Sequence, residues 1–323
     1  MMDRRNFLQL LTFFCASVPM FDLKAQIRPI MDGKRIGIIG LDSSHAIAFT
    51  KELNLSSTDR YKGYSVVAAF PYGSPTVATN GERITKYTSE IQQYGVKIVK
   101  SIEQLVADVD CVLLETNDGN LHLKQAEVVI RAGKALFIDK PISNSWQEAE
   151  KIFLLASAHQ IPVFSSSALR FMPSVVEIDR KAVVGADIYS PAWVEPSHKD
   201  LYWYGIHGVE MLVAIMGTEC LRVKAVCGVT EDLFIGEWSG GRLGTLRGIR
   251  RKISDFGGAV FYNDSVVTLG KFDGYRHLLQ VVIEFFETGI PPFNQEETLT
   301  VCKFIDAAHW SRRNNGNWVN VTG

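Results

Sequence analysis

The first half of the chain alternates short apolar runs with segments of helical periodicity, and this pattern constrains the fold more than any other feature. The runs at residues 35–40, 66–70 and 135–139 are almost wholly apolar and do not alternate with polar residues. Strands of this kind are typical of a parallel sheet covered by helices on both faces. We therefore predict an α/β fold whose first domain is a Rossmann-like, doubly wound parallel sheet ending at about residue 166.

The pattern changes in the second half of the chain. Residues 170–182 read as a helix and residues 191–196 as a proline-rich strand. Residues 221–271 hold several strand-length segments separated by glycine turns, which favours antiparallel pairing. Helices at about 275–287 and 296–312 close the chain. We predict an α+β C-terminal domain with a mostly antiparallel sheet, whose exposed face would suit a homodimer or a higher homo-oligomer.

The N-terminus resembles a twin-arginine export signal. Arg4 and Arg5 precede Phe7 and an apolar run, which is shorter than the ~20 residues needed to span a bilayer. An amphipathic first helix of the folded domain is the alternative interpretation. An export signal predicts a periplasmic protein with no membrane span once the signal is removed. Together with the strand and helix pattern, the signal predicts three parts of the chain. They are an export signal (1–25), a dinucleotide-binding domain (26–166) and a domain for substrate binding and oligomerisation (167–323).

The balance of charge argues against nucleic acid as a partner. The chain has 34 basic and 35 acidic residues, for a formal net charge of −1, and no basic block. A small uncharged substrate fits this balance better. None of the five cysteines pairs with another at metal-ligand spacing, so the sequence predicts no metal site. Export would permit a bridge between Cys220 and Cys227 without requiring one.

The turn after the first strand is a degenerate form of a dinucleotide-binding loop. Such loops carry Gly-x-Gly-x-x-Gly, whose glycines admit the pyrophosphate and the helix. Here Gly40 is followed by Asp42 and His45 at the second and third glycine positions. A carboxylate about 4 Å from a phosphate costs ~4 kcal/mol at an effective dielectric near 20. Ser43, Ser44 and the helix N-terminus could still hold a phosphate.

The segment after the second strand lacks the acidic residue that usually binds the adenosine ribose. It reads Phe-Pro-Tyr-Gly-Ser over residues 70–74. Ser74 is the candidate ribose contact, and the sequence does not choose between NAD and NADP.

Two segments in the middle of the chain resemble the Gfo/Idh/MocA oxidoreductases. Residues 115–122 match the family's Thr-Pro-x-x-x-His stretch, and residues 132–141 match its Ala-Gly-Lys, strand and Glu-Lys-Pro. Asn117 replaces the first proline and Asp139 replaces the glutamate. The resemblance implies that NAD or NADP is the cofactor and that Lys140 lies beside nicotinamide and substrate. It places five further residues near the cofactor: Thr116, Asn117, His122, Asp139 and Pro141.

A third segment, residues 203–210, resembles the family's Asp-x-Gly-x-His-x-x-Asp at the start of a helix. The resemblance makes His207 the acid/base that exchanges the substrate's hydroxyl proton, a task suited to a group titrating near neutrality. Trp203 replaces the first aspartate and Glu210 replaces the second. The candidate substrate-binding residues are Arg170, Trp203, Tyr204 and Glu210; for Arg170, packing between the two domains is an equal alternative.

Three functions are compatible with these residues. The first is an NAD(P)-dependent oxidoreductase of a sugar, inositol or related polyol, in which Lys140 orients the substrate and His207 moves the proton. The second is a sugar lyase, epimerase or hydrolase on the same fold, with tightly bound nicotinamide or none. The third is a carbohydrate-binding protein without catalysis, which Trp203 at the aspartate position favours.

Overall fold

The computed structural model describes residues 34–56, 59–77, 80–253 and 255–321. The predicted export signal and the residues up to Gly33 lie outside them. The described residues form two sheets, one in each half of the chain.

The first sheet has six strands, and every pair of neighbouring strands is parallel. Its order is β3-β2-β1-β4-β5-β6, which confirms the predicted Rossmann-like topology. The strands are β1 (Arg35–Ile39), β2 (Ser65–Phe70), β3 (Lys97–Ile98), β4 (Cys111–Leu114), β5 (Ala135–Asp139) and β6 (Val163–Ser166). The chain order reverses between β1 and β4, and ligands of such sheets bind beyond the carboxyl ends of the strands at this point.

Helices connect these strands. They are α1 (Ser44–Leu55), α2 (Asn80–Gln92), α3 (Ile102–Asp108), α4 (His122–Arg131) and α5 (Trp146–Ala158). Ser145 caps α5, since its Oγ accepts a hydrogen bond from the Glu148 amide at 3.3 Å. Helix α2 has few apolar residues and was not predicted from the sequence.

The second sheet has seven strands in the order β12-β11-β7-β10-β9-β8-β13. All neighbours are antiparallel except β7 and β10, which confirms a mostly antiparallel sheet. The strands are β7 (Gly185–Pro191), β8 (Cys220–Cys227), β9 (Glu231–Trp238), β10 (Arg242–Ile249), β11 (Gly257–Phe261), β12 (Val266–Thr268) and β13 (Val319–Asn320).

The described residues of this half form four helices: α6 (Pro173–Val176), α7 (Ile206–Met216), α8 (Arg276–Thr288) and α9 (Gln295–Arg313). Every residue of α7 is buried, because the helix packs between the second sheet and α9. Helix α8 instead returns to the first domain, where the ring of Phe285 lies 4.7 Å from that of Phe164 on β6. Buried apolar residues of both halves belong to the same clusters.

Two local predictions were wrong. Residues 170–182 do not form one helix but a 3-10 turn at Ala168–Phe171, the short α6 and a second 3-10 turn at Arg180–Ala182. Pro173 has no amide proton to continue the first turn, so it begins a new one. Residues 191–196 are not a strand either, because β7 lies upstream and ends at Pro191. Cys220 and Cys227 are free thiols at opposite ends of β8, so they do not form a bridge with one another.

Candidate functional site

A cavity of about 510 Å³ lies between the carboxyl edge of the first sheet and the second domain. Nine of the residues that line it were predicted from the sequence: Asp42, Ser43, Ser44, His45, Asn117, Lys140, Trp203, Tyr204 and His207. Nine others were not: Arg83, Tyr87, Ser167, Ala168, Leu169, Trp193, Phe256, Phe272 and Tyr275. The cavity therefore brings the degenerate phosphate loop and both predicted catalytic residues into one space.

The two predicted catalytic residues reach the cavity from different domains. Lys140 follows β5 and precedes the cis proline Pro141; its side chain is 14% exposed, with Nζ 3.8 Å from Asp139 Oδ2. His207 lies in the first turn of α7 and is 9% exposed, with Nδ1 2.7 Å from Ser167 Oγ. An ammonium group and an imidazole are thus available to a molecule held between the domains.

The surroundings of His207 favour its neutral form. Burial lowers the pKa of the imidazole well below its usual value, and the positive charges of Lys140 and His45 lower it further. Asp139 opposes this shift, but its effect is smaller. At neutral pH the ring is therefore a base with a free lone pair, and it can accept a proton from a bound hydroxyl.

The phosphate loop keeps two features of a dinucleotide site. Gly40 has φ +94°, and a Cβ there would lie 2.4 Å from the amide nitrogen of Thr116, so the turn requires glycine. Ser43 caps α1 by accepting a hydrogen bond from the His45 amide at 3.1 Å. The N-terminus of α1 and the hydroxyls of Ser43 and Ser44 therefore face the cavity as potential phosphate ligands.

Asp42 is held away from bulk solvent by neighbouring polar groups. Its Oδ1 accepts a hydrogen bond from the Asn117 amide at 3.1 Å, and its Oδ2 accepts one from Asn80 Nδ2 at 3.0 Å. Burial raises the pKa of this carboxyl to about 7, although backbone donors at Asn117 and Ser74 oppose the shift. Near neutral pH the group is thus partly protonated, which weakens the repulsion of phosphate expected from the sequence.

His45, at the third glycine position of the loop, contacts the end of a neighbouring strand. The imidazole of His45 reaches across the edge of the sheet, with Nδ1 2.8 Å from Asp139 Oδ2. Glu115, at the end of β4, lies beside this pair and is fully buried. Because these residues follow three different strands, sequence spacing gave no sign that they cluster.

Aromatic rings form a wall around the catalytic end of the cavity. The ring of Tyr204 lies 4.3 Å from Trp193 and 5.2 Å from His207, and Phe256 lies 5.7 Å from His207. Tyr275 continues the wall, with its ring 4.4 Å from that of His45. Flat apolar faces beside a few polar groups suit the C–H faces of a sugar ring or a nicotinamide.

Helix α2 supplies the only arginine among the described residues lining the cavity. Arg83 is exposed and makes no hydrogen bond or ion pair with any described residue, and Tyr87 follows one turn later on the same helix. A guanidinium at this edge can bind a phosphate in a bidentate manner. Sequence analysis missed it because α2 itself was missed.

Several predicted residues are buried beside the cavity but do not line it. Thr116 and His122 pack beneath the loop after β4, where His122 Nε2 lies 2.6 Å from the Thr116 carbonyl oxygen. Ser74 is 2% exposed, with Oγ 2.7 Å from Thr76 Oγ1. Asp139 and Pro141 support the position of Lys140. These five residues shape the site, and a direct contact with cofactor remains a prediction for each.

Arg170 and Glu210, predicted to bind substrate, form a buried pair with each other. Arg170 Nε donates to Glu210 Oε1 at 3.0 Å, and Ser166 Oγ donates to the same oxygen at 2.6 Å. The Arg170 guanidinium also pairs with Glu297 and stacks 3.9 Å from the ring of Phe293. Neither residue lines the cavity, and their contacts join β6, α7 and α9.

A further histidine, not singled out in the sequence, links the two domains near Trp203. His198 Nε2 lies 3.6 Å from Asp118 Oδ1, and its ring lies 4.9 Å from that of Trp203. Burial lowers the pKa of His198 to about 4 against the opposing charge of Asp118. His198 is therefore neutral at physiological pH and fixes Trp203 at the cavity wall.

The fold and this cavity define a two-domain protein with a dinucleotide-binding type of first domain. Residues 34–166 match the GFO_IDH_MocA model, described as "Oxidoreductase family, NAD-binding Rossmann fold". This match covers the first domain and includes residues 115–141, where the sequence resembles the Gfo/Idh/MocA oxidoreductases. The sequence predicted NAD or NADP as the cofactor, and the description of the matched family names NAD.

Curated relatives match part of the chain. A UDP-N-acetylglucosamine 3-dehydrogenase of Acidithiobacillus ferrooxidans is 26% identical over 154 residues, which are 46% of this chain and 48% of that protein. The chain spans 28% and 48% of the lengths of the curated relatives that it matches.

Solved structures match nearly the whole chain. The scyllo-inositol dehydrogenase of Lactobacillus casei, with bound NAD(H) and scyllo-inositol, superposes with a TM-score of 0.72 at 14% identity. The match covers 90% of this chain and 100% of that one. A "probable dehydrogenase" of Thermotoga maritima gives 0.73 at 19% identity, over 89% of this chain and 98% of that one. At these identities the likeness shows a shared fold for both domains.

Among the described residues, no helix is both long enough and apolar enough to cross a membrane.

Proposed function

We propose that this protein is an NAD(P)-dependent dehydrogenase of a sugar, inositol or related polyol. The observation that carries the proposal is the placement of Lys140 and His207, from two domains, in one aromatic-walled cavity. The family of the first domain and the inositol and sugar dehydrogenases among its relatives support it.

The residues around the cavity fit a dinucleotide. The N-terminus of α1, with Ser43 and Ser44, and the guanidinium of Arg83 on α2 would hold the pyrophosphate. Asp42 is compatible with this placement because its carboxyl is hydrogen-bonded and its pKa is raised to about 7. The nicotinamide, when bound, accepts or donates the hydride.

The side chains of the second domain and of β5 would handle the polar part of the reaction. The Lys140 ammonium donates to the oxygen on the reacting carbon and orients that carbon. His207, neutral and buried, accepts the hydroxyl proton at Nε2 as the alcohol becomes a carbonyl. Ser167 fixes the ring through Nδ1. Trp203 and Tyr204 pack on the apolar face of the substrate and exclude water.

The first experiment is to identify the nucleotide bound to the purified protein by denaturation and mass spectrometry, followed by titration with NAD and NADP. We expect one dinucleotide per chain, and then reduction of that nucleotide by members of a panel of inositols and sugars. A chain that neither carries nor binds either nucleotide would overturn the proposal. Bound nucleotide that turns over without net oxidation of the sugar would identify an epimerase or lyase.

We propose that the outer face of the second sheet forms a homodimer. Three large apolar side chains on this face are at least 39% exposed: Tyr189 on β7, Leu221 on β8 and Leu243 on β10. Light scattering of the wild type and of Leu243→Glu should give a dimer and a monomer, respectively, and a monomeric wild type would contradict the assignment.

A further inference from the structure

Three ligand-type side chains cluster beneath the cavity at the carboxyl ends of the first sheet. They are His45 from the start of α1, Glu115 from the end of β4 and Asp139 from the end of β5. One nitrogen or oxygen of each lies within 4.8 Å of those of the other two. They come from three strand-end loops that meet at the topological switch point, where ligands of such sheets bind.

The carboxylate of Glu115 has no hydrogen-bond partner. Its side chain is 0% exposed, and both oxygens are buried without a donor among the described residues. Buried charged groups ordinarily pair or coordinate metals, because an isolated one is costly. Neither Lys140 nor His45 approaches Glu115 within ion-pair distance, although each lies near Asp139. A polar side chain with no partner is thus directed at a histidine–aspartate pair.

The cluster lacks one positive charge when both of its carboxylates are ionised. A histidine that binds a metal is neutral. With His45 in that form, ionised Glu115 and Asp139 carry two negative charges against the one positive charge of Lys140, which lies 3.8 Å from Asp139. Either a proton or a metal cation satisfies this balance.

We propose that His45, Glu115 and Asp139 bind a divalent transition-metal ion of the zinc class. One imidazole and two carboxylates form a nitrogen–oxygen donor set that suits Zn²⁺ and similar ions. Zinc bonds to these groups are about 2.0–2.2 Å long, so side-chain shifts of less than about 1 Å would bring all three donors to one ion. His45 also lines the cavity, which gives the ion a path from solvent and an open side facing the bound molecule.

The test measures metal directly and does not depend on the proposed dehydrogenase activity. The full chain is treated with a chelator, exchanged into metal-free buffer and titrated with Zn²⁺ and with Co²⁺. We expect about one ion per chain by elemental analysis, a visible Co²⁺ spectrum of four- or five-coordinate type, and a higher Tm with Zn²⁺. Wild-type protein that binds no ion would overturn the proposal and leave a shared proton as the partner of Glu115.

Two variants and a matched control localise the ion. Glu115→Gln and Asp139→Asn keep the size of each side chain, and each should weaken Zn²⁺ binding at least ten-fold. The exposed pair of His277 and Asp273, 2.9 Å apart, offers a histidine and a carboxylate on the surface, so His277→Asn should leave binding unchanged. Equal binding by Glu115→Gln and wild type would overturn the site. If either variant fails to fold, the wild-type stoichiometry and Co²⁺ spectrum still decide the question.

Discussion

Nδ1 of His207 lies 2.7 Å from Oγ of Ser167, and this contact orients the imidazole in the cavity. The same hydroxyl oxygen accepts a hydrogen bond from the Leu169 amide at 3.2 Å, which fixes Ser167 in turn. When Nδ1 carries the proton, it donates to Ser167 Oγ and leaves the lone pair of Nε2 free. Nε2 can therefore accept the proton in alcohol oxidation, and the imidazolium that forms can return it in carbonyl reduction.

The pH dependence of oxidation should report the lowered pKa of His207. Burial and the neighbouring positive charges keep the ring neutral, so the base form persists as pH falls through the usual histidine range. We expect kcat/KM to stay level between about pH 7 and 6 and to decline only at lower pH. A decline centred at or above the usual value near 6.5 would contradict the assignment. His207→Asn should lower kcat by about 10²–10⁴-fold.

Replacement of Lys140 should impair the reaction without disrupting the fold. Lys140→Met keeps much of the length of the side chain and removes the ammonium that would hold the substrate oxygen. We expect kcat/KM to fall by about 10²-fold or more, with a normal circular-dichroism spectrum. The exposed Lys124 on α4 provides the control, and Lys124→Met should behave as wild type. Equal activity of the two variants would remove Lys140 from the mechanism.

Asp42→Asn should strengthen cofactor binding and change how stability depends on pH. In the folded protein the carboxyl has a pKa raised to about 7, so wild type loses stability as pH rises from about 4 to above 7. A shift of about three units corresponds to ~4 kcal/mol, and asparagine lacks this penalty.

Denaturant unfolding of both proteins at pH 5 and pH 8 measures this difference. The variant should gain stability relative to wild type between the two pH values, and its Kd for NAD at pH 8 should fall. A stability difference independent of pH would show that Asp42 stays ionised throughout.

Much of the site was predictable because it follows parallel strand ends and local motifs. The end of β5 placed Lys140, and the start of α7 placed His207, since each lies within a short segment of characteristic sequence. The aromatic wall was not predictable, because Trp193, Phe256 and Tyr275 come from separate loops whose convergence depends on how the two sheets pack. The contact between His45 and Asp139 was not predictable either, because the two residues follow different strands and meet only in the folded sheet.

Arg170 and Glu210 show the limit of motif reasoning, because position in a family pattern does not separate substrate contacts from packing contacts. Glu210 was a candidate for substrate binding and Arg170 for substrate binding or domain packing, and the structure places them in a buried ion pair. Only three-dimensional contacts, such as the stacking of Arg170 on Phe293, reveal this arrangement.

Export of the chain can be tested through its paired arginines. Twin-arginine export requires both residues, so Arg4→Lys combined with Arg5→Lys should retain the protein in the cytoplasm. Arg28→Lys, beyond the predicted signal, should leave export unchanged. Cell fractionation measures the distribution, and equal distribution of wild type and double variant would favour the alternative of an N-terminal helix.

Because Arg170 is paired in the interior and Arg180 at the surface, replacing Arg170 should destabilise the protein much more than replacing Arg180. The Arg170 side chain is 4% exposed, and its loss leaves Glu210 buried without its cation. Arg170→Met should therefore lower the free energy of unfolding by about 3–5 kcal/mol. Arg180 pairs with the same Glu297 at 3.0 Å but is 44% exposed, so Arg180→Met should cost no more than about 1 kcal/mol. Urea unfolding measures both values. If the two variants are equally stable and only Arg170→Met has a raised KM, Arg170 binds substrate and is not mainly a stabilising residue.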